Sequence, residues 1–76
     1  MQRNEFKALV RKYKDFLQEH ITTNNINDID ISNILNNMEN ILTNESLLEN
    51  EDDFHNYVNN FSVVASAIHA FVNNDL

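Results

Sequence analysis

Apolar residues recur every three or four positions along almost the whole chain, and polar interruptions divide the recurrence into three stretches. Phe6, Leu9, Val10, Tyr13, Phe16 and Leu17 draw the first stripe, which predicts an amphipathic helix over about residues 4–20. Asn4 is placed to cap it, because a short amide side chain can accept a bond from a free first-turn N–H. Ile31, Ile34, Leu35, Met38, Ile41 and Leu42 draw the second stripe over about residues 29–43, with Asp28 or Asp30 as its cap. The third runs through Phe54, Tyr57, Val58, Phe61, Val64 or Ala65, Ile68, Phe71 and Val72, a helix over about residues 52–73. Asp52 and Asp53 stand where they would cap that helix and complement the positive end of its dipole. Between the second and third stripes, Glu45 to Asn50 carries Leu47 and Leu48 and reads as an extra turn or a lengthened neighbour. No alternating strand pattern competes with this reading.

Three such stripes bury their apolar faces by packing on one another, so the expected fold is all-α. It is a small three-helix bundle or a helical hairpin-like array, as a monomer or a dimer, within a single helical domain spanning residues 1–76. The absence of Gly and Pro favours long helices, and Asn-rich connectors take over the turn chemistry because Asn tolerates left-handed dihedrals. A domain this short buries only about 60% of its unfolded surface, which leaves a thin stability margin. With no Cys and no His at ligand spacing, the remaining sources of stability are helix packing and association.

The third stripe has more apolar surface than one face needs. Beside Phe61, Val64, Ala65, Ile68 and Phe71, a second row is formed by Val63, Ala67 and Ala70. A helix that is apolar on two sides is normally covered on two sides. Either the first two helices straddle the third and cover both rows, or the second row is a homodimer seam or a groove for a partner helix. The aromatic side chains Tyr13, Tyr57 and the five Phe residues read as core, with Phe54, at a helix start, the exception.

Charge is sharply segregated. Arg3, Lys7, Arg11, Lys12 and Lys14 are all the basic residues, so with Glu5 the first fourteen positions carry about +4, while eleven carboxylates give the rest about −11. Arg3 and Lys7 in the first turns also oppose the helix dipole, which suggests that the cations are used elsewhere. One use is internal, on the acidic stretch Glu49, Asn50, Glu51, Asp52 and Asp53. The other is intermolecular, with the acidic body or the basic helix steering an oppositely charged partner. A net charge of −7 and a pI near 4.6 argue against direct nucleic-acid binding, which requires a basic face.

Candidate chemistry is sparse. Asp28 to Glu39 sets oxygen-bearing side chains at the first, third, fifth, ninth and twelfth positions of a segment that resembles an EF-hand calcium loop. It departs from that pattern at Asn33, where the family has Gly, and at Ile29 and Ile31, and its apolar residues already fit a helix; calcium binding is therefore not expected. His20, His55 and His69 are scattered and have no Cys beside them, so neither a transition metal nor a cofactor is expected. Asp53, His55 and Tyr57 lack a pocket and a nucleophile, and nothing else suggests an enzyme.

The expected function is a non-enzymatic protein–protein interaction module. It would mask or sequester a protein partner in the manner of a small chaperone, an inhibitor, or an immunity or antitoxin protein. The partner would be basic or carry an amphipathic helix, or be a second copy in a homodimer. Val63, Ala67 and Ala70 would supply the apolar contact, and Glu49, Glu51, Asp52 and Asp53, with Arg3, Lys7 and Arg11, the electrostatics. The alternative is an acidic DNA mimic or transcriptional regulator acting on a nucleic-acid-binding protein. The uncharged run Phe54 to Val72 carries too many Asn, Ser and His side chains for a membrane span, and the N-terminal residues lack a signal peptide's apolar run, so the expected location is cytoplasmic.

Overall fold

Three α-helices carry most of the chain: α1 (Arg3–Thr23), α2 (Ile29–Thr43) and α3 (Glu51–Asn74), with a 3-10 turn (Glu45–Leu48) between the last two. The computed structural model describes residues 1–74. The fold is the expected all-helical three-helix bundle, elongated at 38 × 19 × 18 Å. The α2 bounds agree with the periodicity, whereas α1 starts one residue earlier and extends three further than expected, and α3 is one residue longer at each end.

The helix ends show why. α1 finishes in a left-handed cap at Asn25, φ 58°, where Ile26 N–H donates to Ile21 C=O at 2.9 Å and Asn25 N–H to Thr22 C=O at 3.4 Å. This pair of bonds satisfies carbonyls that the helix leaves unpaired, and half-buried Ile21 and Ile26, the two ends of the outer bond, both pack on the core. Asn25 thus fills the position usually given to Gly. Asp28 caps α2, its carboxylate accepting from Asp30 N–H at 2.8 Å and Ile31 N–H at 3.3 Å. At α3 the cap is Asn50, whose side-chain oxygen accepts from Asp53 N–H at 3.1 Å, so Asp52 and Asp53 fall inside the first turn rather than ahead of it. They still lie at the positive end of the dipole. Asn4 is not a cap either: α1 starts from Gln2, which makes no side-chain cap bond. Arg3 instead ties the start of α1 to the 3-10 turn and to α3, donating to Leu48 C=O and to the Glu51 carboxylate, bonds that anchor the helix without capping its first-turn amides.

α1 is the centre of the bundle. It packs on both α2 and α3, while the latter two meet chiefly through the 3-10 turn. The core is a continuous cluster of Phe6, Val10, Leu17, Ile31, Met38, Ile41, Leu48, Phe54, Phe61 and Ile68. Phe6 packs edge-on against Phe54 and Phe61, with ring centroids 5.8 and 5.6 Å apart. Each fully buried side chain of this size contributes about 1.5–3 kcal/mol. Two aromatic expectations change. Phe54 is core, only 2% exposed, because Phe6 and the Arg3 guanidinium cover it; Phe16 is 41% exposed, because its place on α1 lies at the rim against His69.

Candidate functional site

Val63 lies on the side of α3 opposite Phe54, Phe61 and Ile68 and is 70% exposed; Ala67 and Ala70 are exposed with it. The first two helices do not straddle the third. Instead α2 and α3 straddle α1, so the second apolar row of α3 has no cover from the described residues. Spacings of four, three and four place Asp52, Asn56, Asn59 and Val63 in one line, which runs on to Ala67 and Ala70. The row is therefore an apolar strip with an acid at its N-terminal end.

The acidic cluster and Arg3 meet at the other end of the chain's path. Arg3 Nε donates to Leu48 C=O, and its terminal nitrogen reaches Glu49 C=O at 3.3 Å and the Glu51 carboxylate at 3.2 Å. Its guanidinium also sits 4.7 Å from the centroid of the Phe54 ring. His55 Nε2 lies 3.3 Å from the other oxygen of Glu51. The internal use of basic charge is thus realised for Arg3. Lys14 takes a different acid, Glu39 of α2, at 3.1 Å. Lys7, Arg11 and Lys12 make no ion pair with the described residues; Lys7 is half-buried, and Arg11 and Lys12 are exposed on α1. Glu49, Asp52 and Asp53 remain exposed. The expected site residues therefore fall into three groups: the outer row of α3, the Arg3–Glu51 corner, and the free cations of α1.

A feature that the sequence reading missed lies between α2 and α3. Because those helices diverge across α1, a groove of about 330 Å³ opens between them. Buried Met38, Ile41 and Phe61 form its floor, and half-buried Ile34, Tyr57 and Val64 form its walls. Leu47 of the 3-10 turn closes one end, and Asn37, Asn40 and Asn60 rim it without charge. The signal was present as doublets in the stripes: Ile34-Leu35, Ile41-Leu42, Tyr57-Val58 and Val64-Ala65. Val58 and Ala65 line the α1 side of α3 with Leu9 and Tyr13, and Leu35 and Leu42 share the face of Glu39, which reaches Lys14 of α1. The other member of each doublet lines the groove. A stripe two residues wide thus packs on α1 with one edge and leaves the other open.

On the opposite side of α3, the Tyr13 hydroxyl and His69 Nε2 share a hydrogen bond of 2.8 Å, with their rings edge-on at 5.3 Å. His20 stacks edge-on to Phe71 at 5.4 Å. These contacts join α1 to α3. Asp28 to Glu39 is not a loop: Asp28 caps α2, the rest is continuous helix, and Glu39 is engaged by Lys14. Among the described residues no group of three or more acidic, His or Cys side chains converges as a metal site would require, and no helix is long and apolar enough to cross a membrane. No protein-family model, curated protein or solved structure matches the chain.

Proposed function

We propose that this chain is a non-enzymatic protein-binding module that masks or sequesters a protein partner, in the manner of a small chaperone, an inhibitor, or an immunity or antitoxin protein. The observation that carries the reading is the uncovered outer row of α3, with Val63 70% exposed on a helix whose inner side is already filled. An apolar row held rigid by its own helix presents contact surface without first having to be ordered, which lowers the entropic cost of binding. Asp52 at the N-terminal end of the row and the net charge of −7 favour a basic partner and speed encounter.

The test is retention of a partner from the native host on the immobilised chain. Val63→Glu with Ala67→Glu removes the partner on this reading and leaves the far-ultraviolet circular dichroism unchanged, since both positions are exposed. Retention by that double variant, with loss on neutralising Glu49, Glu51, Asp52 and Asp53, would instead support the acidic mimic of nucleic acid. That alternative has less support, because Glu51 is already occupied by Arg3 and His55.

A further inference from the structure

We infer that the groove between α2 and α3 receives one amphipathic helix of a partner protein, with an apolar stripe flanked at both ends by Lys or Arg. The inference rests on the reading of the chain as a protein-binding module and names the segment that it would hold. Two helices that diverge over a third form a trough, and a helix about 10 Å across is the element that fills such a trough to complete a four-helix bundle. Here the trough has an apolar floor of Met38, Ile41 and Phe61 and half-buried walls that include Ile34 and Val64.

Charge selects the occupant. Asp30 precedes Ile34 by four residues on α2, and Asp53 precedes Tyr57 by four on α3, so each wall begins with a carboxylate. The short connector makes α2 and α3 antiparallel neighbours, which sets those two acids at opposite ends of the groove. Asp53 lines a shallow pocket continuous with it through Leu47, Tyr57 and Asn60. Every Lys and Arg of the chain lies on α1, behind the groove. A second copy suits it poorly on two counts. Apposing two grooves would set Asp30 and Asp53 against their own kind, and no outer helix side offers an apolar stripe with flanking cations: that of α1, through Asn4, Ala8, Arg11, Asp15 and Gln18, is not apolar, and the Val63, Ala67 and Ala70 row of α3 has no Lys or Arg on its helix. From Asp30 to Ile41 the wall is about 16 Å long, which suits an insert of about three helical turns.

The experiment titrates two synthetic helical peptides with the same leucine stripe, one flanked by Lys and one by Glu, into the isotope-labelled full chain. The Lys peptide is expected to shift the amides around Ile34, Ile41, Tyr57 and Val64 and to bind about tenfold more tightly than the Glu peptide at low salt, a gap that narrows as salt is added. Val64→Glu should weaken the Lys peptide by about tenfold. Asn60→Lys, on the exposed rim, should do the same by repulsion if Val64→Glu disturbs the fold. Asp30→Asn with Asp53→Asn should shrink the difference between the peptides. Equal binding of the two peptides, absence of binding, shifts confined to Val63, Ala67 and Ala70, or a dimer that protects Val64 would overturn the inference. The same variants separate it from the broader reading. A native partner lost on Val63→Glu with Ala67→Glu but kept by Val64→Glu and Asn60→Lys overturns the groove alone, and one kept by all of them overturns both.

Discussion

Arg3 stands at a helix N-terminus, where the dipole disfavours a cation, yet it makes more tertiary contacts than any other charged residue described. Its guanidinium donates to the terminal carbonyls of the 3-10 turn, pairs with Glu51 and covers the Phe54 ring, so one side chain ties the start of α1 to the start of α3. Hydrogen bonds from a charged donor are worth about 1.5–3 kcal/mol when protected, and partial exposure reduces this. Arg3→Ala is therefore expected to cost about 1–2 kcal/mol in urea unfolding, and Arg3→Lys to recover little, because an ammonium cannot fork to two carbonyls and lie flat on a ring. Equal stability of the Lys variant would show that charge alone matters. Phe6, fully buried between two rings, sets the other extreme: Phe6→Ala should cost about 3–5 kcal/mol, enough to unfold most of the chain at room temperature as seen by circular dichroism. The contrast with Val63, where a polar substitution should change stability by no more than about 0.5 kcal/mol, distinguishes a surface available for binding from one used in folding.

At the scale of the element, each helix ends by a different device. α1 needs a left-handed residue at Asn25, α2 a carboxylate cap at Asp28, and α3 an amide cap at Asn50. Asn25→Gly is expected to hold or slightly raise the thermal midpoint, whereas Asn25→Val should lower stability by about 1–2 kcal/mol, since a β-branched side chain clashes in that conformation. Asn50→Ala should cost about 0.5–2 kcal/mol by freeing the Asp53 N–H. If Asn50→Ala is silent while Asp52→Ala is not, the cap would be the aspartate that the sequence pattern suggested. Existence and type of each helix were legible because a period near 3.6 in apolar residues has few competing explanations. Caps were less so, since Asn and Asp crowd every junction of this chain and several are chemically competent at each; only the backbone path selects among them.

For the whole molecule, the telling property is the distribution of charge over shape. Two direct Lys or Arg ion pairs with carboxylates are made among the described residues, Arg3 with Glu51 and Lys14 with Glu39, and each is exposed enough to contribute about 0–1 kcal/mol. From Asp15 onward the chain has carboxylates and no Lys or Arg. Self-repulsion should therefore outweigh internal pairing, and adding neutral salt is expected to raise the thermal midpoint by screening it. A midpoint that falls with salt would mean that the internal pairs dominate. Part of that negative charge stands at the ends of the apolar surfaces, Asp30 and Asp53 ahead of the groove walls and Asp52 ahead of the outer row of α3, where it becomes a property of recognition.

Periodicity and composition determined the all-helical class, the three elements, the core side of each helix and the segregation of charge, because these depend on interactions between residues three or four apart or on counts alone. The tertiary structure decided which helix is central. That choice depends on how three wide stripes share a limited area: α1, the helix with fully buried Phe6 and Val10, takes the middle, and α2 and α3 each give it one edge of a doubled stripe. From that arrangement follow the exposure of Val63, the burial of Phe54 beneath Arg3, and the open groove between the outer helices. A one-dimensional pattern records how much apolar surface each helix has, but only packing in three dimensions determines which part of it is left uncovered.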